Sequence, residues 1–519
     1  MKTLESYVQG RWVAGTGVRT TLVNPSTEEP VAETSTGGID FAGALEHARS
    51  KGGPALREMT FAQRGEVVKK MSQAIHGARD ELLALAIENA GNTRGDAKFD
   101  VDGGSGTLMA YAGFAEKLGA ARILVDGEGI QLGRSPRFFG QHAYVPRHGV
   151  AVHVNAFNFP AWGFAEKAAV AILAGMPVVT KPATATAVVA HQIVRILVDA
   201  KVLPEGALQL LCGSVGDLLS HLQGQDVLAF TGSSDTAARL RAAPCFVSGG
   251  ARINVEADSL NAAILGPDVE EGSETEGLFL EDVARDMTQK AGQKCTAIRR
   301  VLVPADRADR IAAALADRLS AIVVGNPADE RVRMGPLATA QQLADVRAGI
   351  ERVSAETDDG FGGAGKVDPV GAPAGKGYFV GPVLRRTPRP LDVRAMNEHE
   401  VFGPVATLGA WSGDAAGAAQ IVRKGQGALV SSVYSDDRAF LTAFVPAIAP
   451  WHGRVFIGSA KVAGQSPGPG TVLPSLTHGG PGRAGGGEEL GGTRGLSFYM
   501  QRTALQGDQA LLRSILGAE

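Results

Sequence analysis

From Val150 onward the chain alternates short apolar runs with longer stretches: VAVHVN, PVVT, LQLL, VLAF and RINV are each separated by a segment long enough for a helix. That rhythm reads as successive βα units on a mainly parallel sheet, with helices covering its faces and ligands at the carboxyl ends of its strands. Pro160 and Gly175 bracket the first intervening helix, proline near its start and glycine past its end. After Glu256 a second α/β layer begins, with a helix from about Gly277 to Ala291, a strand near Arg299 to Val303 and mixed segments to about Gly458. A chain of 519 residues has room for both, at roughly three domains of about 150 residues or fewer with large lobes. No internal repeat is found.

Ahead of this region, Val67, Val68, Met71, Ala74, Ile75 and Ala78 recur at three- and four-residue steps between Thr60 and Gly91. Thr60 and Gln63 are placed as a capping box, so an amphipathic helix packed on the core is expected. Residues 464–492 are rich in glycine and proline and read as an extended loop, because the strand-like LSFYMQRTAL follows. Gly127 to Pro146 fits either a hairpin arm that pairs with that C-terminal strand at a subunit contact or an ordinary loop.

Charge narrows the partners. The 51 lysines and arginines against 54 acidic residues leave a net charge of −3, with no global field to hold nucleic acid or an anionic membrane. The longest apolar run, Ala168 to Val179, is broken by Gly175 and Pro177 and falls short of the ~20 residues of a membrane span. The opening MKTLESYVQGRW has no apolar core of a secretion signal, and three scattered cysteines make neither a disulfide nor a zinc framework. A cytoplasmic protein acting on small molecules, with no metal, is expected.

Several residues carry two readings. A literal GxGxxG at Gly480, Gly482 and Gly485 is set aside as a dinucleotide turn, since no strand precedes it, Pro481 sits inside it and no helix opens from it. FTGSSDTAARL is a better phosphate site: VLAF ends at Phe230, and a helix opening after Gly232 and Ser233 would aim backbone N–H groups at an anion, although a plain capped turn has the same pattern. Cys212 and Cys245 read as packing residues, whereas Cys295, flanked by Lys294 with Lys290 nearby, reads as a packed thiol or as a nucleophile favoured by cationic charge. Glu256 is either an exposed strand-end carboxylate or a general base. Asn158 is either the N-cap of the proline-started helix or an amide donor to a developing oxyanion.

Taken together and in this order, the fragments NPSTEEPVAE from Asn24, PRHGVAVHVNAFNFP, VVTKPA, FTGS, Glu256, GQKC and EVFGP resemble the aldehyde dehydrogenase superfamily across nearly the whole chain. The resemblance implies an α/β architecture: a Rossmann-like cofactor domain over residues 1–126 and 147–256, a catalytic α/β domain over 257–470, and a small β oligomerisation arm from 127–146 and 471–519. It implies that Cys295 is the nucleophile, Glu256 the general base, Asn158 the oxyanion-hole amide and Glu489 a second proton-relay carboxylate. Lys181 and Thr184 fall where the adenosine ribose binds, Phe230, Gly232 and Ser233 at the pyrophosphate turn, and Glu400 and Phe402 at the nicotinamide ribose. NADP is the expected cofactor, with NAD as the alternative, because the glutamate that many NAD-preferring relatives carry is Thr184 here. A homo-oligomer, dimer or tetramer, is implied as well.

Three departures place the chain off the main branch. Leucine-glycine-glycine after the base is replaced by Ala257, Asp258 and Ser259; the usual PWN is Ala156, Phe157 and Asn158; and the C-terminal glycine-rich segment is HGGPGRAGGGEELGG. These variants resemble dehydrogenases that take ring-cleavage semialdehydes, carried as CoA thioesters, in aerobic aromatic catabolism. Some of that branch carry a fused C-terminal hydratase domain, and a chain ending at Glu519 is expected to be the stand-alone kind. The expected reaction is oxidation of a CoA-linked aldehyde to its acid through a cysteine thioester. The alternatives are an acylating enzyme in which free CoA replaces water, which the presence of Glu256 opposes, and a non-catalytic protein on the same scaffold.

Overall fold

The computed structural model describes residues 1–412 and 414–517. Five strands form the parallel core of a first seven-stranded sheet, in the spatial order Arg252–Glu256, Val227–Thr231, Ala151–Val154, Val178–Lys181, Leu208–Leu210. The antiparallel pair Ser6–Val8 and Arg11–Val13 extends it at one edge. The strand that comes first among the five lies in the middle, so strand order reverses between Ala151–Val154 and Val227–Thr231. That reversal opens a crevice at the carboxyl ends of these strands, where α/β sheets receive ligands.

The second seven-stranded sheet runs Asp358–Phe361, Val383–Thr387, Val405–Trp411, Arg300–Pro304, Ala262–Leu265, Ala428–Tyr434, His452–Gly458, parallel except for the antiparallel Asp358–Phe361 edge. Residues 257–261 connect the last strand of the first sheet to the first strand of the second. The hairpin alternative is the one that forms: Leu124–Gln131 pairs with Phe138–Pro146, which pairs antiparallel with Met500–Asp508.

Several local expectations change. Residues 464–492, expected as a loop, contain the paired strands Thr477–Gly479 and Glu488–Leu490. The helix after Thr60 keeps its capping box but divides into Phe61–Gly77 and Arg79–Ala90, because Ala78 leaves helical geometry at φ −101° and ψ 17°. The helix expected from Gly277 starts earlier, at Glu274 under a Ser273 cap, and ends at Thr288. LSFY forms a helical turn, Leu496–Tyr499, before the strand begins at Met500.

The helix Trp162–Ala174 starts beside the crevice, and its Trp162, Gly163, Glu166 and Lys167 line a cavity there. All thirteen of its residues are buried, the glutamate and the lysine included. It packs close to the long helix Arg94–Leu118, because a Cβ on Gly103 would stand 2.2 Å from the Trp162 ring.

Candidate active site

The strand Arg252–Glu256 delivers Glu256 to the crevice, and the carboxylate is buried there, not exposed. Asn158 lies in the loop between Ala151–Val154 and Trp162–Ala174, and it is not the helix cap. Asp100 of the neighbouring helix takes that role, accepting the N–H groups of Ala161 at 3.3 Å and Trp162 at 2.8 Å. The Asn158 amide has no hydrogen-bond partner among the described residues and faces the cavity beside Cys295.

Cys295 is presented by an unusual turn. Lys290, Ala291 and Gly292 all adopt left-handed φ angles of 55°, 52° and 69°, a conformation that non-glycine residues hold only when their surroundings enforce it. Here Asp96 accepts the Lys290 N–H at 3.0 Å, and a Cβ on Gly292 would collide with the Gly403 carbonyl at 2.2 Å. Asn261 then clamps the far side, donating to the carbonyls of Cys295 and Ala297 at 2.8 Å each.

The expected cationic activation of Cys295 does not occur. Lys294 turns away, its Nζ 2.8 Å from Asp286 and 2.7 Å from Gln289. Lys290 lies over the Phe159 ring at 4.5 Å, with Asp100 and Asp96 as its nearest anions. Burial, reinforced by Glu256, pushes the thiol well above its ordinary value. Sequence adjacency misleads because a lysine ammonium sits several bonds from its backbone and follows the nearest buried carboxylate.

Besides Glu256, the neighbour that reaches the sulfur is His478. Its Nε2 stands 3.8 Å from the Cys295 Sγ and 3.3 Å from Glu256 Oε2. One atom from each of Glu256, Cys295 and His478 lies within 4.8 Å of the others. His478 escapes a reading of the sequence because it heads the glycine-rich segment; contrary to expectation a short strand, Thr477–Gly479, does precede Gly480, but it pairs antiparallel and no α-helix opens after it, so the GxGxxG is still not a dinucleotide turn. The strand Thr477–Gly479, paired with Glu488–Leu490, brings both His478 and Glu489 inward.

Behind this cluster sits a buried charge network. Lys167 Nζ lies 3.2 Å from Glu166 Oε1 and 3.2 Å from Glu489 Oε2, and carboxylate oxygens of Glu166, Glu256 and Glu489 fall within 4.8 Å of one another. Burial raises Glu489 to about 7 against the pull of Lys167. Burial would raise Glu256 too, but His478 and Lys167 outweigh it and hold that carboxyl below its usual range.

Two spaces meet at Cys295. A narrow cavity of about 40 Å³ is lined by Asn158, Glu256, Cys295, Phe159 and His478. A cleft of about 620 Å³ shares Asn158, Glu256 and Cys295 and continues past Lys181, Thr184, Phe230, Gly232, Ser233, Glu400 and Phe402. The mostly buried Lys181 ammonium has no hydrogen bond or ion pair among the described residues, and burial lowers its pKa; an anionic ligand would relieve it. Ser233 caps the helix Ser234–Arg241, yet Asp258 already occupies its start, accepting from Ser234 N at 3.0 Å and Oγ at 2.7 Å. Thus the Asp258 departure places a carboxylate beside the expected pyrophosphate turn. Glu400 accepts from Ser259 N at 3.0 Å and pairs with Arg299 at 3.2 Å. The size of the cleft and the unpaired Lys181 suit a dinucleotide, whereas Asp258 stands against a second anion at the helix start.

Residues 12–505 match the profile of the Aldehyde dehydrogenase family. The 3,4-dehydroadipyl-CoA semialdehyde dehydrogenase of Aromatoleum evansii is 45% identical over 478 residues, which cover 92% of this chain and 93% of the relative. A betaine aldehyde dehydrogenase of Staphylococcus aureus, solved in complex with NAD+, has a TM-score of 0.84 at 23% identity, over 97% of this chain and 95% of that one. A solved lactaldehyde dehydrogenase gives 0.84 at 24%, over 98% and 99%. At such identities the two structures speak for the fold: parallel-sheet α/β lobes of the same arrangement.

Proposed function

The chain belongs to the aldehyde dehydrogenase family, and on that premise we propose that it oxidises a CoA-linked semialdehyde to the carboxylic acid through a thioester on Cys295. The observation that carries this reading is the meeting of the two spaces at Asn158, Glu256 and Cys295. A dinucleotide in the larger cleft and an aldehyde in the narrow cavity would both reach the same sulfur.

In this reading Cys295 adds to the aldehyde carbon, and the Asn158 amide with the Cys295 backbone N–H holds the oxyanion that forms. A nicotinamide dinucleotide, held by Lys181, Thr184, Phe230, Gly232, Ser233, Glu400 and Phe402, supplies the hydride acceptor when bound. Glu256 then deprotonates the water that resolves the thioester. Its Oε1 is buried without a partner, which leaves one oxygen free for that water. An acylating enzyme would have no use for such a base.

The substrate class is supported by the Aromatoleum evansii relative, whose name specifies 3,4-dehydroadipyl-CoA semialdehyde. A vestibule of about 560 Å³ shares Phe99 and Trp162 with the narrow cavity and includes Lys98 and Arg285, room for a chain that trails from the aldehyde. We assign NADP as the preferred cofactor, since the neutral Thr184 lies in the cleft with the unpaired Lys181. Homo-oligomerisation through the arm is supported by Ile130, Leu132 and Phe138, large apolar side chains exposed on the hairpin.

The test presents short semialdehydes with and without a CoA tail, each with NADP and with NAD. Higher kcat/KM for the CoA-linked substrate with NADP is expected. Preference for free aldehydes overturns the substrate class, and turnover that stops without added CoA overturns hydrolysis.

A further inference from the structure

The thiol of Cys295 faces an environment hostile to its ionisation. Glu256 stands beside it, Glu166 and Glu400 add negative charge, and Lys290 and Lys294 are committed elsewhere. His478 is the group placed to change this, for its Nε2 lies within hydrogen-bonding reach of the Cys295 sulfur, at 3.8 Å, and at 3.3 Å from Glu256 Oε2. The ring is 4% exposed, so no bulk water competes for that nitrogen.

We propose that His478 is a catalytic residue: in its neutral form, with Nε2 unprotonated, it takes the Cys295 proton as the sulfur attacks the aldehyde, keeps it through the acyl-enzyme, and returns it when the sulfur leaves. The inference rests on the thioester reading and adds to it the route of the thiol proton. On attack the S–H bond breaks, an N–H bond forms, sulfur bonds to the carbonyl carbon, and the carbonyl π pair moves to oxygen, where the Asn158 amide meets it. Loss of hydride to the bound dinucleotide restores the carbonyl as a thioester and leaves the imidazolium unchanged. During hydrolysis Glu256 takes the proton of water, the C–S pair returns to sulfur, and Nε2–H reprotonates it. The new acid and Glu256 each release one proton, giving the two protons that oxidation of an aldehyde to a carboxylate must yield.

The two oxygens of Glu256 divide the work. Oε2 faces the imidazolium and Oε1 stays free for water. The groups facing His478 support the charged ring on balance. Glu256 comes from the strand Arg252–Glu256, Glu166 and Lys167 from the helix Trp162–Ala174, Glu489 from the paired strand, and Arg454 from His452–Gly458. Burial disfavours the imidazolium, but Glu256 prevails and the ring's pKa is raised.

The test needs no substrate, so it is read independently of the aldehyde and cofactor assignments. Iodoacetamide labelling of Cys295, located by peptide mass, is followed from about pH 5 to about pH 10 in wild type, His478→Gln and His478→Phe. Wild type is expected to label near neutrality with an ionisation that belongs to the Cys295–His478 pair. Both variants should label about ten-fold or more slowly at neutral pH and rise along one thiol ionisation above the ordinary range. With an aldehyde that wild type turns over, kcat should fall by about a hundred-fold while cofactor binding holds. A labelling profile in His478→Gln that superimposes on wild type overturns the proposal. His478→Gln carries the test if the phenylalanine variant does not fold, and an unchanged melting temperature certifies either variant.

Discussion

Replacing Glu489 with glutamine isolates the cost of one buried carboxylate. Burial raises this group from its ordinary 4.5 to about 7 even with Lys167 opposing the shift. At roughly 1.4 kcal/mol per pH unit, that corresponds to about 3 kcal/mol against the ionised form. The folded protein therefore holds the proton more tightly than the unfolded chain, so wild-type stability falls as pH climbs from 4.5 towards about 7 and levels off above. Glutamine keeps the shape of the neutral acid and removes this titration, while Glu166 still pairs with Lys167 at 3.2 Å. The variant should therefore gain on wild type by about 3 kcal/mol between acid and mildly alkaline pH. For 519 residues an unfolding entropy of roughly 1.1 kcal/mol/K turns this into a relative shift of about 3 °C. Melting temperatures of both proteins, cofactor-free and at one protein concentration, from about pH 5 to about pH 8.5, provide the readout. A gap between the two that stays constant across the range refutes the argument.

Glu256→Gln should complete one hydride transfer per site and then stall, because deacylation needs an activated water; a burst of reduced cofactor and an acyl adduct in the intact mass are the expected signs, and steady turnover contradicts them. In Thr184→Glu the new carboxylate would face the 2′-phosphate of NADP in the cleft that holds Lys181, so kcat/KM should drop far more for NADP than for NAD; an unchanged cofactor ratio would show that this position does not set the choice. Asp100→Ala strips two N–H groups at the start of the helix Trp162–Ala174 of their acceptor and should cost about 1–2 kcal/mol in urea unfolding, with kcat lowered as the Asn158 loop loosens.

The parallel sheet is legible in the sequence because its strands are continuous apolar runs, the pattern that burial on both faces requires. The arm is half legible: its alternation suits a hairpin, but only pairing with Met500–Asp508 distinguishes it from a loop. Asn158 reads as a possible cap, and no local pattern could correct that, since the acceptor of those N–H groups sits on Asp100, about sixty residues earlier, and meets them only in the packed fold. Glu166 and Lys167 lie inside an apolar helix, and a glutamate and a lysine in a segment with no polar face are themselves a sign of a buried network. His478 is the same lesson in a loop. A histidine heading a glycine-rich stretch can approach a site closely because the glycines let backbone pass where side chains would collide, as at Gly479, whose Cβ would meet the Gly487 carbonyl at 2.1 Å.

Glu256, beside the sulfur, and Glu489, in the network behind it, are pushed in opposite directions by their surroundings, and that separation gives each a distinct use under the proposed mechanism. Glu256 faces His478 and feels Lys167, so it stays ionised at neutral pH and ready to accept a proton. Glu489 shares Lys167 with Glu166 and is buried among acids, so its proton affinity is the higher of the two. Under that mechanism a proton taken from water by Glu256 would move downhill to Glu489, whose oxygen lies within 4.8 Å of it, before its release. With its value near 7, Glu489 can release that proton at neutral pH, which neither a strongly acidic nor a strongly basic group in the same place would do. The charge of Lys167 opposes protonation of both carboxyls: it adds to His478 in holding Glu256 low, and it works against burial at Glu489.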